Sequence, residues 1–77
     1  MNKIRRNKLS QIAEKIDDLR SLLEELQDEE EEYRDNMPEN LQGSERYEAA
    51  DEACYNLEEA VGSLEAAVDS INKAIDG

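Results

Sequence analysis

Asp35–Tyr47 reads DNMPENLQGSERY, and it holds the only proline of the 77-residue chain and one of its three glycines. Pro38 disfavours helix at Met37 and has no amide hydrogen to donate. Gly43 permits a sharp turn. Ser44 is a good N-cap, and Glu45 and Glu48 follow in a first helical turn, where acids suit the helix dipole. Pro38–Leu41 has room for one helical turn inside the break. Helix-forming sequence lies on both sides. The chain therefore reads as one domain, residues 1–77, with helix 1 over about 3–36, a turn over 37–44 and helix 2 over about 45–75. Each helix is roughly 45–50 Å long. Two helices of similar length joined by a short turn predict an all-α antiparallel hairpin.

Both flanks carry heptads. Leu9, Ile12, Ile16, Leu19, Leu23, Leu26, Glu30, Tyr33 and Met37 alternate in steps of three and four, an a/d ladder with Glu30 as its one charged rung. Arg5 holds the preceding d position, and Leu22, at g, widens the stripe. Helix 2 repeats the pattern with Tyr47, Ala50, Cys54, Leu57, Val61, Leu64, Val68, Ile71 and Ile75. Beside it, Ala53, Ala60, Ala67 and Ala74 recur at g. A small apolar column lets another helix approach closely, although alanine is also the best helix former. With Leu22 it marks a second contact, and the hairpin is expected to dimerise into a four-helix bundle. A chain this short is marginal without such help.

Composition removes several classes of function. There is no histidine, and Cys54 is the single cysteine. No intramolecular disulfide, His-activated nucleophile or His-containing metal site can form. The glycines are too scattered for a phosphate loop, and the acidic run lacks the pattern of a calcium loop. The expectation is a non-enzymatic protein with no catalytic residues, cofactor or dedicated metal. Cys54, at an a position, reads as a buried structural thiol, and a lone thiol fits the cytoplasm. The basic start has no apolar core of a signal peptide, and no apolar run reaches membrane-spanning length.

Charge is the strongest compositional signal. The net charge is −12 and is unevenly spread: residues 1–20 carry a net +3 and residues 21–69 a net −15. The acidic section repels nucleic acid and anionic lipid. Neither direct nucleic-acid binding nor membrane binding is expected. The matching partner is a basic protein surface, including that of a nucleic-acid-binding protein. Glu24, Glu25, Asp28, Glu29, Glu31, Glu32, Asp51, Glu52, Glu58 and Glu59 form the candidate acidic face; a solvated, solubilising surface is the plain alternative. Acids late in helix 1 and Lys3, Arg5, Arg6 and Lys8 at its start both oppose the helix dipole. An antiparallel dimer would compensate by setting those bases near a partner's acids. Glu30 either marks fraying near the turn or pairs with Arg34 or Arg46.

The turn also gathers Tyr33, Asn36, Asn40, Gln42, Ser44, Arg46 and Tyr47. These groups suit an anion or nucleotide. They equally suit capping and satisfaction of the turn backbone.

Asp35 through Ile71, DNMPENLQGSERYEAADEACYNLEEAVGSLEAAVDSI, resembles small, mostly uncharacterised acidic helical proteins of Gram-positive bacteria and their phages. Their shared feature is a DNxPExLQxSER-type turn followed by Leu-Glu-Glu-Ala heptads. The resemblance implies a setting among small accessory genes of mobile elements, where inhibitors of host defence are common, and it carries over no catalytic residues. The combined expectation is a phage or prophage accessory protein that inhibits a nucleic-acid-handling defence protein through acidic residues. The alternatives are an oligomeric sponge for a nucleotide signal and a structural or scaffold component of a phage.

Overall fold

In the computed structural model, which describes residues 1–77, the chain forms α1 (Lys3–Asp35), a single 3₁₀ turn (Glu39–Leu41) and α2 (Glu45–Asp76). The two long helices pack side by side as a hairpin with no strand. α1 starts where the Asn2 side chain accepts a hydrogen bond from the Arg5 amide at 2.8 Å, a cap the sequence reading missed. It ends at Asp35, one residue earlier than expected, as the Asn36 amide donates to the Glu32 carbonyl at 3.0 Å. Met37 then leaves the helix and is buried beneath the turn. Ser44 caps α2 as its sequence position predicts, accepting from the Tyr47 amide at 3.3 Å.

Gly43 differs from expectation. No glycine has a positive φ, so the turn closes without the conformation that only glycine adopts easily. Gly62 lies exposed inside α2, and nothing stands within 4 Å of where a Cβ would sit. Gly62→Ala should raise stability by about 0.5–1 kcal/mol. A higher urea midpoint with an unchanged m value is the expected result.

The register is visible in two cross-hairpin pairs. Arg34 Nη1 lies 2.9 Å from Asp51 Oδ1, and Arg20 Nη1 lies 3.9 Å from Glu65 Oε1. The steps Arg20–Arg34 and Asp51–Glu65 are both two heptads, so one antiparallel register holds along the rod.

α2 turns its a/d ladder inward as the heptads predict: Ala50, Cys54 and Val61 are buried. α1 departs from its ladder. The a residues Leu9, Ile16, Leu23 and Glu30 are half-buried, but Ala13, Arg20, Gln27 and Arg34, all at e, share the seam with them. The d residues Ile12, Leu19, Leu26 and Tyr33 are 48–59 % exposed. Relative to an a/d seam, α1 is turned by roughly 50° about its axis, given 100° per residue. The turn carries Arg20 and Arg34 to the carboxylates of α2 and leaves the d leucines outside.

The molecule is a rod of 60 × 16 × 13 Å with a radius of gyration of 17.5 Å, where a compact chain of this length has about 11–12 Å. Only five residues are buried: Ala13, Met37, Ala50, Cys54 and Val61. The core is a single thin seam.

Candidate functional site

The seam leaves two unlike broad faces, defined by the heptad columns on each side of it. On one, the b column of α1 (Asp17, Glu24, Glu31) and the e column of α2 (Asp51, Glu58, Glu65) flank Arg20 and Arg34. Arg20 bonds Asp17 at 3.0 Å and Glu24 at 2.8 Å; Arg34 bonds Asp35 at 3.0 Å in addition to Asp51. These bonds, to Asp17 and then Glu24 for Arg20 and chiefly to Asp35 for Arg34, hold both guanidinium groups more firmly protonated. Gln27 donates to Glu31 at 3.2 Å. The opposite face is apolar. It carries the d column of α1 with Leu22, and next to them the g column of α2, in which Ala53, Ala60 and Ala67 are half-buried and Ala74 exposed.

The ten candidate acids do not share one face. Consecutive helical residues point 100° apart, so the run Asp28–Glu32 has to wrap around α1. Glu24, Glu31, Asp51 and Glu58 lie on the arginine-bearing face. Glu25, Asp28 and Glu32 follow the outer edge of α1, and Glu52 and Glu59 that of α2. Glu29 borders the apolar face. Of the ten, only Glu24 and Asp51 have an ion pair. Glu30 pairs with neither Arg34 nor Arg46; Arg34 takes Asp35 and Asp51 instead.

At the turn, Tyr33, Asn36 and Arg46 line a shallow hollow with Glu29, Glu32, Met37, Pro38 and Leu41. The rest of the turn cluster points elsewhere. The Gln42 side chain donates to the Met37 carbonyl at 3.4 Å, and the Ser44 hydroxyl donates to the Leu41 carbonyl besides capping α2. Tyr47 is half-buried, and Asn40 is exposed outside the hollow. The structural reading thus accounts for Gln42 and Ser44, while Arg46 stands free of any ion pair.

Cys54 is 4 % exposed. Burial pushes its thiol pKa up, against the opposing pull of Arg34, so it stays a protonated seam residue.

No protein-family model, curated protein or solved structure matches this chain. No three acids or thiols converge where a metal ion could be held. No helix is long and apolar enough to cross a membrane. The surface presents two features: carboxylates without an ion pair around the turn half of the rod, and one uncovered apolar face.

Proposed function

We propose that this is a non-enzymatic accessory binding protein of phage or prophage type that inhibits a nucleic-acid-handling defence protein by occupying its basic cleft. The observation that carries the reading is the lack of internal neutralisation. Glu25, Asp28, Glu29, Glu31, Glu32, Glu52, Glu58 and Glu59 have no cation within ion-pair distance, and they surround one half of a narrow rod. Uncompensated like charge costs stability within the fold, and a basic partner would turn that cost into attraction and faster encounter. The genomic setting implied by the resemblance favours a defence protein as the target.

The test is affinity capture from host lysate with the full chain and with the triple variant Glu52→Lys, Glu58→Lys, Glu59→Lys. These side chains lie away from both the apolar face and the turn hollow. The wild type should retain a basic nucleic-acid binder, lose it in about 1 M salt, where the screening length falls to ~3 Å, and compete with nucleic acid for it. The variant should bind at least ~100-fold more weakly. Equal capture by the variant would refute the reading.

A nucleotide sponge is the second reading, favoured by Tyr33, Asn36 and Arg46 meeting in the hollow. Glu29 and Glu32 line the same hollow and repel phosphate, which places it second. A panel of nucleotides that leaves the melting temperature unmoved would remove it.

A further inference from the structure

We propose that the apolar face is covered by a second copy of this chain, packed with its turn at the opposite end and with a two-fold axis passing beside Leu22. It rests on a different observation from the acidic-surface reading, the uncovered apolar face, and shares with that reading only Glu29 and Glu32.

Area gives the first reason. A folded monomer of 8.8 kDa exposes roughly 4,800 Å², whereas this chain exposes 5850 Å² and buries five residues. A standard interface removes roughly 800 Å² from each partner, which would bring the rod close to ordinary globular exposure.

Shape gives the second. The exposed d column runs from Ile12 to Tyr33, roughly 32 Å, with its midpoint beside Leu22. The alanine column runs from Ala53 to Ala74, with its midpoint beside Ser63. The ion pairs Arg20–Glu65 and Arg34–Asp51 set these midpoints at the same level. A two-fold axis through that level, perpendicular to the rod, pairs each column with itself. Leu19 meets the partner's Leu26, Ile12 meets the partner's Tyr33, and Ala60 meets the partner's Ala67. Such a self-complementary patch is what a closed two-fold dimer requires. Large residues face large ones on one side and alanines face alanines on the other, an arrangement open to helix packing at 8–10 Å.

Charge selects this orientation over its rival. With both turns at one end, the two acidic halves would lie together. With the turns opposed, the g column of α1 becomes complementary about the axis, and Lys15 lies opposite the partner's Glu29. The basic start of α1 then approaches the partner's turn hollow, whose lining includes unpaired Glu29 and Glu32 and the apolar Tyr33 and Met37.

Two measurements on the full chain test this. In sedimentation equilibrium the wild type should have twice the 8.8 kDa chain mass. Lys15→Glu should weaken association by ~10-fold, and adding Glu29→Lys should restore it, since each altered side chain again meets its opposite. In a Cys54→Ala background, Leu22→Cys should be joined to its symmetry mate by a short bis-maleimide, and the equally exposed Tyr55→Cys should not. A monomeric wild type at high micromolar concentration overturns the proposal. So does a dimer in which Leu22→Cys links no better than Tyr55→Cys, or one in which Glu29→Lys fails to rescue Lys15→Glu.

Discussion

Val61→Asp should unfold the hairpin at neutral pH. Val61 is the one aliphatic side chain among the five buried residues apart from alanines, Met37 and Cys54. It stands near the middle of α2, where the seam has no turn to hold it closed. An aspartate there loses the apolar burial and places a carboxylate in a thin seam where Arg20 is already bonded to Asp17 and Glu24. The cost is at least about 3 kcal/mol, comparable to the whole of what a core this small supplies, about 3–5 kcal/mol. Burial disfavours the charged form, so the folded-state pKa of the new carboxyl lies above its unfolded value. The penalty is then full at neutral pH and disappears as pH falls below the unfolded value, about 3.9. Helical circular dichroism should be lost at pH 7 and largely regained near pH 3–4. Tyr55→Asp, on an exposed stretch of the same helix, should keep its helicity at both. Retention of full helicity by Val61→Asp at pH 7 would mean that the seam is looser than the burial of Ala50, Cys54 and Val61 implies.

The hairpin was legible because its signals are local. Pro38 and Ser44 act on their own backbone neighbours, and the heptads of α2 are unambiguous enough that its inward face follows from spacing alone. The inward face of α1 was not legible, for a physical reason. Its a column is flanked on one side by leucines at d and on the other by Ala13, Arg20, Gln27 and Arg34 at e. Hydrophobicity alone selects d. The e column instead carries the residues that match across the hairpin: Asp51 and Glu65 at e of α2 lie two heptads apart, as do Arg34 and Arg20. That match is present in the sequence, but it has value only once the antiparallel register is known. The surface groups were least legible. Ten acids close in sequence looked like one face, yet helical rotation spreads them around the rod. The turn cluster looked like one site, yet Gln42 and Ser44 serve the turn itself. By heptad column, Leu22 and the alanines fall on the same side as the exposed d leucines.

Arg34→Glu tests whether those arginines set the rotation of α1. In the wild type Arg34 is the cation at the crowded end of the seam, bonded to Asp35 and Asp51 and near Glu30, Glu31 and Cys54. Reversing it removes both bonds and adds a carboxylate to that cluster, making the net charge −14 instead of −12. Like charges at this spacing repel strongly wherever water is partly excluded, so the turn end should open and the melting temperature fall. Two rescues separate repulsion from lost packing. Salt near 1 M shortens the screening length to ~3 Å and should recover much of the loss. Acid should recover it as well, since crowding raises carboxyl pKa values in the folded state and the penalty fades as pH falls through them. Arg34→Met keeps an apolar stem without the charge, so it should be milder than Arg34→Glu and gain less from salt. If Arg34→Met proves as damaging as the reversal, the stem rather than the ion pairs holds α1 in its rotation. If neither variant alters the melt, the d leucines are free to turn inward, and the apolar face that a second copy would cover is not fixed by this seam.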